Sequence, residues 1–185
     1  MRTVVWRLYI DYEKEENWLN EMAAKGFAFA DYSFARYVFN DCKPGEYIYR
    51  LELLKNGIHN PESRQYMSFM ADNGAEPVAN WYRWVYFRKK AGGAPFDIYS
   101  DVDSKMAHYK RIMGLYFPVM CLLFLSGFWN IRIGLPYFYS EFWNGSPANF
   151  TVGVLNVCIG IALFFPWNHA RTRVKKLKQE KLLME

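Results

Sequence analysis

The sequence predicts an α+β fold, a ferredoxin-like β-α-β-β-α-β module, followed by a two-helix transmembrane hairpin. Three observations predict it. Two charge-free apolar runs, residues 112–131 and 150–167, are long enough to cross a bilayer, which takes about 20 mostly apolar residues because hydrocarbon offers stray backbone groups no partner. Ahead of them, apolar residues recur at two periods: every second residue in some segments, as in half-buried strands, and every third or fourth in others, as in helices. Breaks rich in Gly, Pro and Asn separate these segments, in the order strand, helix, strand, strand, helix, strand.

The first strand is Val4, Trp6, Leu8 and Ile10 alternating with Val5, Arg7 and Tyr9. A helix over 12–25 follows, with Trp18, Leu19, Met22 and Ala23 on one face, Asp11 as N-cap and Gly26 as the stop. Residues 27–39 alternate again, break at 40–45, and resume at 46–54 with Tyr47, Tyr49, Leu51 and Leu53 on one side, a hairpin with a long loop. A second helix over 61–73 starts with Pro61 and ends at Gly74; residues 81–88 form the last strand. Right-handed crossovers turn that order into two helices on one four-stranded sheet. No internal repeat is evident. The chain divides into a module at 1–90, a linker and basic juxtamembrane helix at 91–111, spans at 112–131 and 150–168, an intervening loop at 132–149 and a tail at 169–185. Asp101 or Asp103 caps the juxtamembrane helix.

Charge sets the expected topology. Residues 1–103 carry 13 Lys and Arg against 15 Asp and Glu, so the net +5 arises at the membrane flanks. Lys105, Lys110 and Arg111 precede the first span, Arg132 and Glu141 cancel between the spans, and six basic residues crowd the tail. Basic flanks stay in the cytoplasm, which predicts a helical hairpin with both termini cytoplasmic and the loop outside. The basicity is therefore topogenic and no nucleic-acid partner is expected. The N-terminus lacks a secretory-signal pattern, and Cys42, Cys121 and Cys158, without any CxxC spacing, read as reduced thiols.

The strings WLNEMAAKGF (18–27), PGEYIYRLELL (44–54), WVYFRK (84–89) and DVDSKMAHYKRI (101–112) together resemble the bacterial domain-of-unknown-function 2812 family. The resemblance implies a bacterial membrane protein, often encoded beside a PadR-like transcriptional regulator, and lends no catalytic residue.

Catalysis needs convergent groups of matched pKa, and the chain offers poor material. His59, His108 and His169 form no HxxxH or HExxH pair, and the acidic run Glu13, Glu15, Glu16 and Glu21 reads as the solvated, dipole-matched face of the first helix. No enzyme, metal or cofactor is expected. Aromatic residues make up 19% of the chain, and much of that load lies on strands, on both faces of the last one. One sheet face packs on the helices, so the other should expose Tyr82, Trp84 and Tyr86 with Arg36, Arg50 and Arg83 nearby, residue types that dominate protein interfaces. RNA stacking on such a sheet is opposed by the negative module and the missing K/R-G-F/Y motif; a belt against the lipid surface is the plain alternative. The expected role is a membrane-anchored sensory, regulatory or adaptor module that docks a protein partner or a second copy of itself. A small accessory subunit of a membrane transport or export complex is the runner-up. Inside the spans, Asn130 and Asn156 want partners and the glycines permit close helix packing.

Overall fold

The computed structural model describes residues 1–92, 96–99, 101–138 and 145–184; residues 93–95 of the expected linker and the aromatic 139–144 of the expected external loop lie outside them. Two compact units result, Met1–Ser104 and Lys105–Glu185.

The first unit runs β1 (Arg2–Trp6), α1 (Tyr12–Ala24), β2 (Phe27–Ser33), β3 (Arg36–Asp41), β4 (Tyr47–Leu53), α2 (Pro61–Asp72), β5 (Glu76–Trp81) and β6 (Trp84–Lys90). This is the motif βαββ twice. Each copy makes its own antiparallel sheet with its last strand central, β1-β3-β2 and β4-β6-β5. The expected single four-stranded sheet is thus corrected to two three-stranded sheets, and an internal repeat is present after all. Two local features hid it. Residues 27–39 are two strands joined by the turn Phe34-Ala35, with Ala35 at φ 58°, and no Gly, Asn or Pro marks that turn. In β5, Pro77 argues against a strand, yet β5 is an edge strand where a missing N–H is tolerated.

The copies match in detail. Asp11 and Asn60 cap α1 and α2 by accepting from the N–H groups of Glu13 and Glu62, at 3.0 and 2.9 Å. Gly26 and Gly74 follow the helices at φ 89° and 81°, a conformation that costs glycine nothing. Four residues past each glycine the ladder slips, between Phe29 and Asp31 and between Pro77 and Ala79.

Both faces of the β4-β6-β5 sheet are covered. Val85, Phe87 and Leu54 pack with Met70, Tyr66 and Met67 of α2 and with Phe96. Tyr49, Leu51 and Tyr86 face a second core made with Trp18, Leu19 and Ala23 of α1 and Phe29, Tyr37 and Phe39 of the other sheet. The copies are also pinned through α1. The Asn20 side chain accepts from the Tyr49 N–H at 2.8 Å and donates to the Tyr49 carbonyl at 3.1 Å, and Glu16 accepts from the Leu51 N–H at 2.8 Å. Side chains of α1 thereby satisfy the open edge of β4, where a further strand would otherwise pair.

The second unit takes in all but the first three residues of α3 (Val102–Gly134), a 3₁₀ turn (Leu135–Phe138) and α4 (Pro147–Met184). Asp101 caps α3, accepting from the Ser104 N–H at 2.7 Å. Both helices are long and apolar enough to cross a membrane, by length and composition. Their 33 and 38 residues extend about 50 and 57 Å, well past a hydrocarbon core of about 30 Å. Large apolar side chains such as Leu122, Leu125, Phe128 and Phe165 point outward. The helices approach closely at glycine: a Cβ on Gly127 would meet Val157 Cγ2 at 2.8 Å, and one on Gly153 would meet the Ile131 backbone at 2.7 Å. Asn156 donates to Ser126 Oγ at 3.1 Å across that contact, as a polar group between packed helices requires.

Candidate functional site

The six residues expected on one exposed face are distributed otherwise. Tyr86 points into the core between the sheets, 3% exposed, because strand alternation puts it on the side of β6 that meets α1. Trp84, half-buried on the same side, tilts against Tyr12 with ring centroids 5.3 Å apart. Arg50 donates from Nε to the Phe96 carbonyl at 2.9 Å and from Nη1 to the Tyr49 carbonyl at 3.0 Å, and pairs with Glu16 at 3.2 Å. Arg83 is likewise spent on main chain, donating to the carbonyls of Leu54 and Lys55. Arg36 sits half-buried in β3, opposite Trp6 on one side and Ser33 on the other. Only Tyr82 is openly exposed, at 67%. The expected open sheet face fails because a second sheet, invisible to the four-strand reading, covers it.

Exposed aromatics gather instead at one end of the module. Phe34 caps the β2–β3 turn and Trp81 and Tyr82 the β5–β6 turn, with the rings of Phe34 and Trp81 6.3 Å apart. The Arg7 N–H donates to the Ala35 carbonyl at 2.8 Å, which brings the end of β1, with Trp6 70% exposed, to the same place. Tyr82 holds φ 55°, a left-handed backbone that a β-carbon makes unfavourable by about 1–2 kcal/mol.

Beneath this rim, sequence reasoning missed a buried carboxylate. Glu15, assigned to the solvated face of α1, is 8% exposed. Its Oε1 accepts the Tyr37 hydroxyl at 2.7 Å and the Tyr86 hydroxyl at 2.6 Å, one from each sheet. Burial pushes the Glu15 carboxyl above the usual carboxylate range, partly offset by those two donors. Burial first, and then the charge and hydrogen bond of Glu15, raise both phenols far above their ordinary value. Glu16 is also raised by burial, against the Leu51 N–H and Arg50. The signal that could have found Glu15 is its spacing: it lies three and four residues before Trp18 and Leu19, on their stripe. A second buried carboxylate, Glu52 on β4, accepts the Tyr66 hydroxyl of α2 at 2.6 Å.

A tandem βαββ module followed by two long apolar helices is the class these elements define. The chain belongs to the DUF2812 family of proteins of unknown function, whose model matches residues 11–121 and so takes in the module from α1 onward, the stretch after it and the first part of α3. No curated protein and no solved structure matches it.

Proposed function

We propose that the chain is a membrane-anchored regulatory or adaptor module of the bacterial inner membrane, which docks a protein partner at the aromatic rim formed by Trp6, Phe34, Trp81 and Tyr82. The observation that carries this reading is Tyr82. A large exposed ring at φ 55° in a tight turn, where glycine would be relaxed, supports a task for Tyr82 outside the fold, since Ala35 meets the same backbone demand in the β2–β3 turn with only a methyl group. The neighbouring exposed rings have the composition of interface anchors. Anchoring is supported by the two long apolar helices, and cytoplasmic placement of both ends by Lys105, Lys110 and Arg111 on one side and the basic tail on the other.

The test is a photoreactive residue in place of Tyr82 in the full-length protein in its native host. Crosslinking to a protein, abolished by Phe34→Ser with Trp81→Ser, supports docking, and a transcriptional regulator is the class to probe first. A crosslink to lipid alone, or none, refutes it.

A further inference from the structure

The buried carboxylate asks for a cation. Taking an ionised carboxylate out of water costs several kcal/mol unless a positive charge or enough donors replace the water. Glu16, the next residue, has Arg50 at 3.2 Å, but no basic group among the described residues reaches Glu15. Both phenol hydroxyls go to Oε1. Oε2 takes no donor among the described residues, and it is not among the partnerless atoms sealed from solvent. The two phenols on Oε1 belong to one packed aromatic group: Trp18 and Tyr32 each lie 4.8 Å from Tyr37, Tyr32 lies 5.4 Å from Tyr86, and Tyr9 lies 5.5 Å from Trp18, centroid to centroid.

From this geometry we infer that Glu15 anchors a binding site for a small organic cation, an aryl- or alkylammonium, held between Oε2 and the faces of Tyr9, Trp18 and Tyr32. The inference is independent of the docking rim. Ring quadrupoles attract cations and reject anions, and a carboxylate adds full charge where water is scarce. A hard divalent ion is a poor match, since it needs six or more oxygen ligands and one carboxylate with two phenols supplies too few. The chain already shows the preference of these rings: the exposed Arg7 guanidinium lies 5.0 Å from the Tyr9 centroid and 5.3 Å from that of Trp18. Tyr9 and Tyr32 are only half-buried, and Tyr9 sits in the irregular segment between β1 and α1, so it can swing aside without breaking a strand pair.

The test is calorimetric titration of the full-length protein in non-ionic detergent with benzyltrimethylammonium, whose charge does not titrate, and with benzenesulfonate as the anion of similar size. Saturable one-to-one binding of the cation alone is expected, weakened at least about tenfold by Glu15→Gln, the loss of one charge contact in a poorly solvated site. Arg7→Ala, at an exposed position, should tighten it severalfold by clearing the competing guanidinium. No saturable binding to the native protein overturns the inference, as does an affinity of Glu15→Gln within about twofold of native. Should Glu15→Gln fail to fold, an Arg7→Ala affinity equal to native overturns it instead.

Discussion

Replacing Asn20 by Ala should unlock the two βαββ copies. The native amide accepts from the Tyr49 N–H at 2.8 Å and donates to the Tyr49 carbonyl at 3.1 Å, and Tyr49 is fully buried. Its carbonyl keeps Arg50 as a donor at 3.0 Å after the change, but its N–H is left without a partner on the unpaired side of β4. An orphaned buried donor costs about 1–3 kcal/mol and the lost bonds about 1 more, against a few tenths regained from the better helix propensity of Ala. The expected net loss is about 2–3 kcal/mol. In a unit of about 100 residues that lowers Tm by about 10 °C. The assay is tryptophan-monitored thermal unfolding of the full-length protein in detergent. Ser68→Ala is the control, because Ser68 lies six residues before Gly74 as Asn20 does before Gly26, is exposed, and bonds no strand. It should stay within about 0.5 kcal/mol of native. If Asn20→Ala shifts Tm no more than Ser68→Ala, the edge of β4 is not what α1 holds.

Three further outcomes are expected. Glu15 has a folded-state carboxyl raised above its unfolded value, so folding binds a proton there; its contribution is full below the unfolded pKa of about 4.3 and is lost as pH rises through the folded value. Stability should therefore fall with rising pH across that window, and Glu15→Gln should flatten the slope in unfolding curves taken at successive pH values; an unchanged slope places the titration elsewhere. Tyr82→Gly relieves a left-handed backbone and should stabilise the module by about 1 kcal/mol in the same assay while weakening partner crosslinking, whereas Gly26→Ala, with its added Cβ 3.1 Å from the Cys42 carbonyl, should destabilise it. Gly153→Leu should separate α3 from α4: with the native cysteines removed, a disulfide between Ser126→Cys and Asn156→Cys should form readily in the parent and fall to background in the variant.

The elements with local signatures were legible from sequence, and those defined by pairing were not. Asp11 and Gly26 bracket α1, Pro61 and Gly74 bracket α2, and Asp101 opens α3, because capping chemistry is written within a few residues. The apolar runs behind α3 and α4 are legible for the same reason. Ala35 and Tyr82 turn the chain at positive φ without turn residues, and Pro77 sits inside a strand, so the pairs β2–β3 and β5–β6 leave no local mark. Once a second sheet exists, alternation reverses the meaning of the aromatics on β6. Tyr86 becomes core, and the exposed set moves to the strand ends, where period two says nothing.

The two copies differ most where the module holds charge. Counted back from the glycine that closes each helix, Glu15 and Ser63 occupy the same place, eleven residues away, and both are buried. Ser63 satisfies itself locally, donating to the Asn56 carbonyl at 3.3 Å, and asks nothing of the opposite sheet. Glu15 instead draws a hydroxyl from each sheet onto one oxygen and leaves the other open. A repeat that serves only to build a core has no use for a carboxylate at this position, since serine fills its counterpart at far lower desolvation cost. The same asymmetry recurs along α1, where Glu16 and Asn20 hold the edge of β4 while Arg64 and Ser68, their counterparts on α2, are exposed. The first copy thus carries both the lock between sheets and the charge beneath it, on one helix. Any ligand that engages Glu15 acts on α1, and through Asn20 on the register of β4, which leads to the β5–β6 turn by way of Arg83 and Leu54. That turn carries Tyr82, so a ligand held at Glu15 and a partner held at the rim, though proposed on separate observations, would act on one mechanical element. The two should prove thermodynamically linked, and occupancy by benzyltrimethylammonium should then change crosslinking at Tyr82 in native protein but not in Asn20→Ala.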